Sequence, residues 1–224
     1  MKTVQVLIFW LFFSFFTTVI SAQSINWNTV ENTKHITTIG IAWDYSLSYH
    51  VGYAYHFNTK LPLVIGANFS VPSGENLLDD FKAKAGGHIV LFDQSSLKGT
   101  VTLNGIYRRF ENPLVRLQNF GGEMKGSFGY YKNNWFVAGE IGFDKAIVTH
   151  FKHSDSFKEN NYSDVKDGWY QPATGGNFLY GLQGGYSFKK SDITLNLGKI
   201  ATQDFKTTPR IPFYVMLGHN YKLW

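Results

Sequence analysis

Apolar and polar residues alternate with a period of two along most of the chain beyond position 38. That is the pattern of strands with a different environment on each face. Ile39, Ile41 and Trp43 alternate with Gly40, Ala42 and Asp44. Tyr49, Val51, Tyr53, Tyr55 and Phe57 alternate with His50, Gly52, Ala54 and His56. The same alternation predicts further strands over 63–69, 81–89, 97–107, 124–130, 135–143, 178–188, 193–197 and 211–221, ten in all. The only helical competitor, 75–85, is short and stops at Gly86-Gly87. No low-complexity tract or clean internal repeat divides the chain, so residues 23–224 read as one domain.

Ten successive strands predict an all-β fold, a closed antiparallel up-and-down barrel, with eight or twelve strands as the alternatives. Alternation does not say which face is inside. A soluble lipocalin-like barrel buries its apolar face, whereas a transmembrane β-barrel turns it outward. Connection lengths favour the membrane form. The links 58–60, 93–96, 132–134 and 189–191 are short, while the alternate links 71–80, 111–119, 150–175 and 201–210 are long. Only 44–46 is short where length is expected. Phe57, Tyr130, Trp135, Phe188 and Tyr221 all fall beside the short links on the apolar face, where they suit an interfacial girdle. Lys82, Lys84, Arg108, Glu123, Lys125, Glu140 and Asp144 recur on the polar face and are expected to pair inside a narrow, plugged lumen. Lys145 lies on the apolar side, ten residues beyond Trp135. At about 3.3 Å per residue and a tilt of about 45° it stands about 23 Å from that girdle, near the far edge of a band about 25 Å tall.

The first residues change the picture. Lys2 precedes an uncharged apolar run over 6–20, followed by the small residues Ser21 and Ala22. This is the layout of a secretory signal peptide spanning 1–22. The whole chain has 21 Lys+Arg against 16 Asp+Glu, and removal of Lys2 lowers the formal balance from +5 to +4. No dense basic block is present, which gives no support to nucleic-acid binding. With no cysteine, a disulfide framework is excluded. Aromatics reach 17% with 22 glycines, yet mean hydropathy is −0.17. No apolar run after Ala22 is long enough for a membrane helix.

The chain ends Gly218-His219-Asn220-Tyr221-Lys222-Leu223-Trp224, a last strand closing on an aromatic residue. With the leader and the ten-strand layout, this resembles the small bacterial outer-membrane β-barrel proteins. It departs from their usual ending at Lys222, where an apolar residue is common, and in having Trp for Phe. The resemblance implies a bacterial outer-membrane location, contact with outer-membrane lipid, and recognition of the C-terminal strand by the barrel-insertion machinery. It carries over no activity.

Candidate chemistry is sparse. The segment His150-Phe-Lys-His153-Ser154-Asp155-Ser156 gathers His, Ser and Asp, but triad members normally converge from separate segments. His150 and His153 lack further metal ligands, and His50, His56 and His88 read as members of a polar network. Gly74, Gly121-Gly122 and Gly175-Gly176 suit strand bends rather than a phosphate cradle. Asn68-Phe-Ser70 and Asn161-Tyr-Ser163 match a glycosylation pattern that carries no weight in a bacterial protein. The expectation is a non-enzymatic structural or surface-interaction barrel, with no catalytic, cofactor or metal site and an extracellular ligand surface over 150–175. A narrow pore or small-solute transporter and a rim hydrolase are the alternatives.

Overall fold

The computed structural model describes residues 24–31, 33–44, 46–74, 78–160, 164–173 and 175–223. The expected signal peptide 1–22, the acceptor pattern at 161–163 and the terminal Trp224 lie outside the described residues. Ten strands close into an antiparallel barrel: β1 (His35–Trp43), β2 (Leu47–Phe57), β3 (Leu63–Pro72), β4 (Asp80–Gln94), β5 (Leu97–Glu111), β6 (Val115–Tyr131), β7 (Trp135–His153), β9 (Gly176–Phe188), β10 (Ser191–Thr202) and β11 (Phe213–Leu223). Each pairs with its sequence neighbour, and β1 meets β11 to complete the cylinder. A three-residue β8 (Gly168–Tyr170) pairs with the outer end of β7, above the start of β9. The one helix among the described residues, α1 (Asp155–Asn160), leads from β7 toward it.

The apolar face is the outside. Tyr49, Val51, Tyr180, Leu182 and Tyr186 are exposed, whereas His50, His56 and Ser187 on the alternate positions are buried. The five aromatics Phe57, Tyr130, Trp135, Phe188 and Tyr221 are all exposed at the short-turn end. There the Tyr130 and Trp135 rings lie 5.7 Å apart.

Several strands run further than alternation predicts, β1, β4 and β10 among them, and β5, β6 and β7 do so at their outer ends. β5 and β6 meet at a tight turn, 112–114, so the expected long link 111–119 is mostly strand. β7 continues to His153, so 150–153 belongs to the wall rather than to a loop. Polar and ionic pairs support these extensions where apolar alternation has stopped. Arg116 bonds Glu111 at 2.8 Å, and Asn119 donates to Thr149 at 2.7 Å. Two register shifts, one beside Leu91 and one beside Ile147, break the period locally. The wall is therefore tall over β5–β7 and low at the β1–β2 turn, 44–46. The short 75–85 helix is not formed over its described part, which enters β4 at Asp80.

The segment before β1 is inside the barrel. A 3-10 turn, Trp27–Thr29, is started by Asn26, whose side chain accepts the Asn28 N–H at 3.2 Å. Ile25, Trp27 and Val30 pack with the inward-facing Ile36, Ala54, Val64, Val90, Tyr131, Phe136 and Ala138. Tyr131 and Phe136 stack at 5.3 Å. The core thus sits at the short-turn end of the lumen, with three residues from the plug and seven from the wall.

Candidate functional site

Strand parity directs polar side chains of all ten barrel strands into one lumen, and there the plug meets them. Asn26 donates to the Lys132 carbonyl and to Ser187 Oγ, both at 2.8 Å, and Asn28 donates to the Tyr131 carbonyl at 2.8 Å. Ser24 Oγ donates to Gln183 at 2.6 Å, and its carbonyl accepts from Asn220 at 2.9 Å. Lys222 Nζ reaches Asp192 at 2.6 Å and the plug hydroxyl of Thr29 at 2.5 Å. Buried donors and acceptors left unmade cost about 1–3 kcal/mol each, so this set fixes the plug's position as well as its burial.

Above the plug lies a cavity of about 100 Å³, bounded by Trp27, His50, Lys84, His88, Glu123 and Lys125 among others. The seven charged residues expected in the lumen all have partners. Lys82 pairs with Asp44 at 2.9 Å, and Arg108 with Asp80 at 3.2 Å. Glu123 takes both Lys84 and Lys125, the latter at 3.3 Å. Glu140 and Asp144 are held by neutral groups instead, the Tyr214 hydroxyl at 2.5 Å and the Asn177 amide at 3.0 Å. Gly181 and Gly198 face each other beneath Tyr214; a Cβ on either would stand 2.6 Å from its hydroxyl oxygen, so their bareness lets the phenol reach Glu140. Removing one partner of such a buried pair typically costs 3–5 kcal/mol, because the other charge stays behind.

Two of the three lumen histidines are in the expected network. His50 bonds Ser48 at 3.0 Å and Asn68 at 3.3 Å, while His56 bonds the Thr33 carbonyl at 3.0 Å. His88 departs from it. Its ring lies 6.2 Å from Trp27, and its Nε2 is buried without a hydrogen-bond partner, as is Asn104 Oδ1. Both line the cavity, which has room for a few waters.

At the outer mouth the 150–156 segment comes apart. His150 points to the outside of β7, its ring 4.9 Å from Trp169, while His153 faces the mouth. The carboxylate partner of His153 is Asp167, at 3.0 Å from Nδ1, and not Asp155. Asp167 also accepts the His153 backbone N–H and Lys158 Nζ, and these donors hold its carboxyl well below the usual carboxylate range. Ser154 Oγ accepts the Phe157 N–H at 3.2 Å and caps α1. Ser156 Oγ neighbours Asn160 at 3.4 Å. No group of three or more metal-ligating side chains gathers among the described residues. Phe151, Val165, Tyr170 and Pro172 wall an apolar pocket of about 360 Å³ with His153 and Lys166 on its rim. Gly121 approaches the β7 backbone closely: a Cβ would lie 2.4 Å from the Lys145 carbonyl, beside the shift at Ile147. Gly74 has open space around it.

The plug was invisible to periodicity. Its only sequence signal was Asn26 followed by three residues capable of one turn, with Ile25, Trp27 and Val30 as unassigned apolar residues. No known family profile matches this chain, and no curated protein matches it.

Proposed function

We propose that this chain is an integral barrel of a bacterial outer membrane. Its lumen is closed by residues 24–30, and its role is structural or one of surface interaction, exercised at the outer mouth over 150–175. The observation that carries the reading is the orientation of the wall. The side turned to the surroundings is studded with Ile, Leu, Val and aromatic residues from nearly every strand, including Ile39, Leu103, Ile141, Leu182 and Leu217. A soluble monomer rarely exposes a contiguous apolar surface beyond a few hundred Å². Hydrocarbon is the medium that removes that penalty, and closure of the sheet leaves no open edge within it. The start of β1, the end of β11 and the short turns share one end, and the outer segments 154–160, 164–173 and 203–212 share the other. Charges paired within the lumen need no water-filled path. The pore alternative therefore requires the plug to move.

The absence of cysteine makes the test clean. Asp164→Cys, in the outer segment, and Asn133→Cys, in a short turn, are each expressed in a Gram-negative host. The expected result is recovery with the outer membrane, heat-dependent electrophoretic mobility, and labelling of intact cells by an impermeant maleimide at 164 but not at 133. Recovery as a soluble monomer in the periplasmic extract would overturn the proposal.

A further inference from the structure

The outer face of the tall wall carries rings below and cations above. Phe69, Phe81, Tyr107, Phe120 and Trp169 run across β3, β4, β5, β6 and β8, with successive ring centroids 5.2, 5.7, 5.0 and 6.0 Å apart. One row further out, Arg109, Gln118, His150 and Trp169 are cross-strand neighbours. Beyond that, Glu111, Arg116 and Lys152 form the next row. Three cations and one carboxylate thus share this face. Glu111 bonds both Arg109 and Arg116, leaving the pair with a single negative charge between them. Lys152 is exposed and makes no ion pair among the described residues, although it stands directly opposite Arg116. Like charges placed opposite each other across a strand pair are destabilising. The Nε atoms of Arg109 and Arg116 are buried without a hydrogen-bond partner. The arrangement is short of negative charge.

Height decides which anion. Phe120 lies ten residues above Tyr130 on β6, and Tyr107 ten above Leu97 on β5. At about 3.3 Å per residue and a tilt of about 45°, both rings stand about 23 Å above the lower girdle, at the far edge of a band about 25 Å tall. Arg109 is then about 5 Å further out and Arg116 about 9 Å. The headgroup layer occupies roughly 5–8 Å on each side of the hydrocarbon. Guanidinium groups carried there, facing outward over an aromatic ledge, meet lipid phosphates. Arginine pairs with phosphate through two parallel hydrogen bonds.

We infer that Arg109, Arg116 and Lys152, on the outer face of β5–β7, form a binding site for the phosphate of an anionic lipid in the outer leaflet. This rests on the membrane reading above. Lipid chains lie along the ring ledge, and the headgroup neutralises the cation pair that Glu111 only half compensates.

Trp169 reports on the site, since it closes the ledge. The full chain is inserted into phosphatidylcholine vesicles containing a minor fraction of phosphatidylglycerol, with the bromine label placed on one lipid or the other. The Trp169 contribution is taken as the difference from Trp169→Phe. Trp135, in the opposite girdle, gives the control in the same way through Trp135→Phe. The expected result is quenching of Trp169 roughly fivefold more effective by labelled phosphatidylglycerol than by labelled phosphatidylcholine at equal fraction, the scale set by one uncompensated cation near the surface. Trp135 should show no preference. The double variant Arg116→Gln/Lys152→Gln should lose the preference while Trp135 remains quenched, which shows the barrel still inserted. Quenching of Trp135 with no lipid preference at Trp169 overturns the site and spares the membrane reading. No quenching at either tryptophan overturns both. A preference that survives the double variant, or that millimolar inorganic phosphate abolishes, also overturns the assignment, the second by giving the site to soluble phosphate.

Discussion

Lys222 shows how one side chain is settled by parity. In the last strand Tyr221 and Leu223 face outward and Lys222 faces the lumen, where Asp192 and Thr29 take its ammonium. The residue that departs from the usual barrel ending is therefore a clamp between the final strand and the plug. Asp204 is the corresponding fixed point at the other end. Its carboxylate accepts the Lys206 N–H at 3.0 Å, the Thr202 hydroxyl at 2.8 Å and the Thr207 N–H at 3.2 Å. These donors, the Lys206 N–H first, bring its carboxyl down to about 2. An unfolded aspartate titrates near 3.9. The native value is the lower one, so the contribution of Asp204 to ordering 203–212 is complete above about pH 4 and is lost as pH falls toward 2. A carbon-13 titration of Asp204 in detergent micelles should show a midpoint near 2; a midpoint at or above 3.9 refutes the turn geometry. At this scale the sequence was legible wherever parity alone decides. The partners of Lys84, Lys125 and Glu123 follow from β4 and β6 facing one space across β5. Asp167 beside His153 was not legible, because they stand 14 positions apart with no shared period to relate them.

Among the elements, those with one face in each environment were readable and those without were not. The outer ends of β5, β6 and β7 rise beyond the apolar band, so polar residues serve on both faces and the period vanishes from the sequence. Cross-strand ion pairs and hydrogen bonds take over there, and nothing in a linear pattern announces them. The plug is hidden for a related reason: a seven-residue segment shows no period, and its burial depends on a cavity made by distant strands. Its effect on function is direct. Trp27 is only 6% exposed and fills the lumen against Ile36, Val90 and Tyr131. Truncating a buried Trp to Ala costs about 3–5 kcal/mol. In planar bilayers the intact chain should pass no steady current, Trp27→Ala should give intermittent steps as the plug unseats, and deletion of 24–30 should give persistent ones. A deletion variant that inserts, keeps its heat-dependent mobility and remains silent would show that the wall side chains alone seal the lumen.

For the molecule as a whole, the medium outside the cylinder is the governing variable, and depth measures it. Leu197 on β10 pairs with Val215 on β11, six residues from the girdle residue Tyr221. At about 3.3 Å per residue and a tilt of about 45° that is about 14 Å above the girdle, close to the middle of a band about 25 Å tall. Leu223 lies at the lower edge of the same face. The two leucines are almost equally exposed, 42% and 40%, so contact with protein does not distinguish them. In water, arginine at either place is an ordinary surface substitution, within about 0.5 kcal/mol of neutral. In a bilayer the cost follows depth: about 2–4 kcal/mol at the midplane and about 0–1 kcal/mol near the interface. Guanidinium unfolding of Leu197→Arg and Leu223→Arg in lipid vesicles should separate by at least about 1–2 kcal/mol, with the midplane variant the less stable. Equal costs would remove the hydrocarbon from around the barrel, and with it the headgroup layer from Arg109 and Arg116.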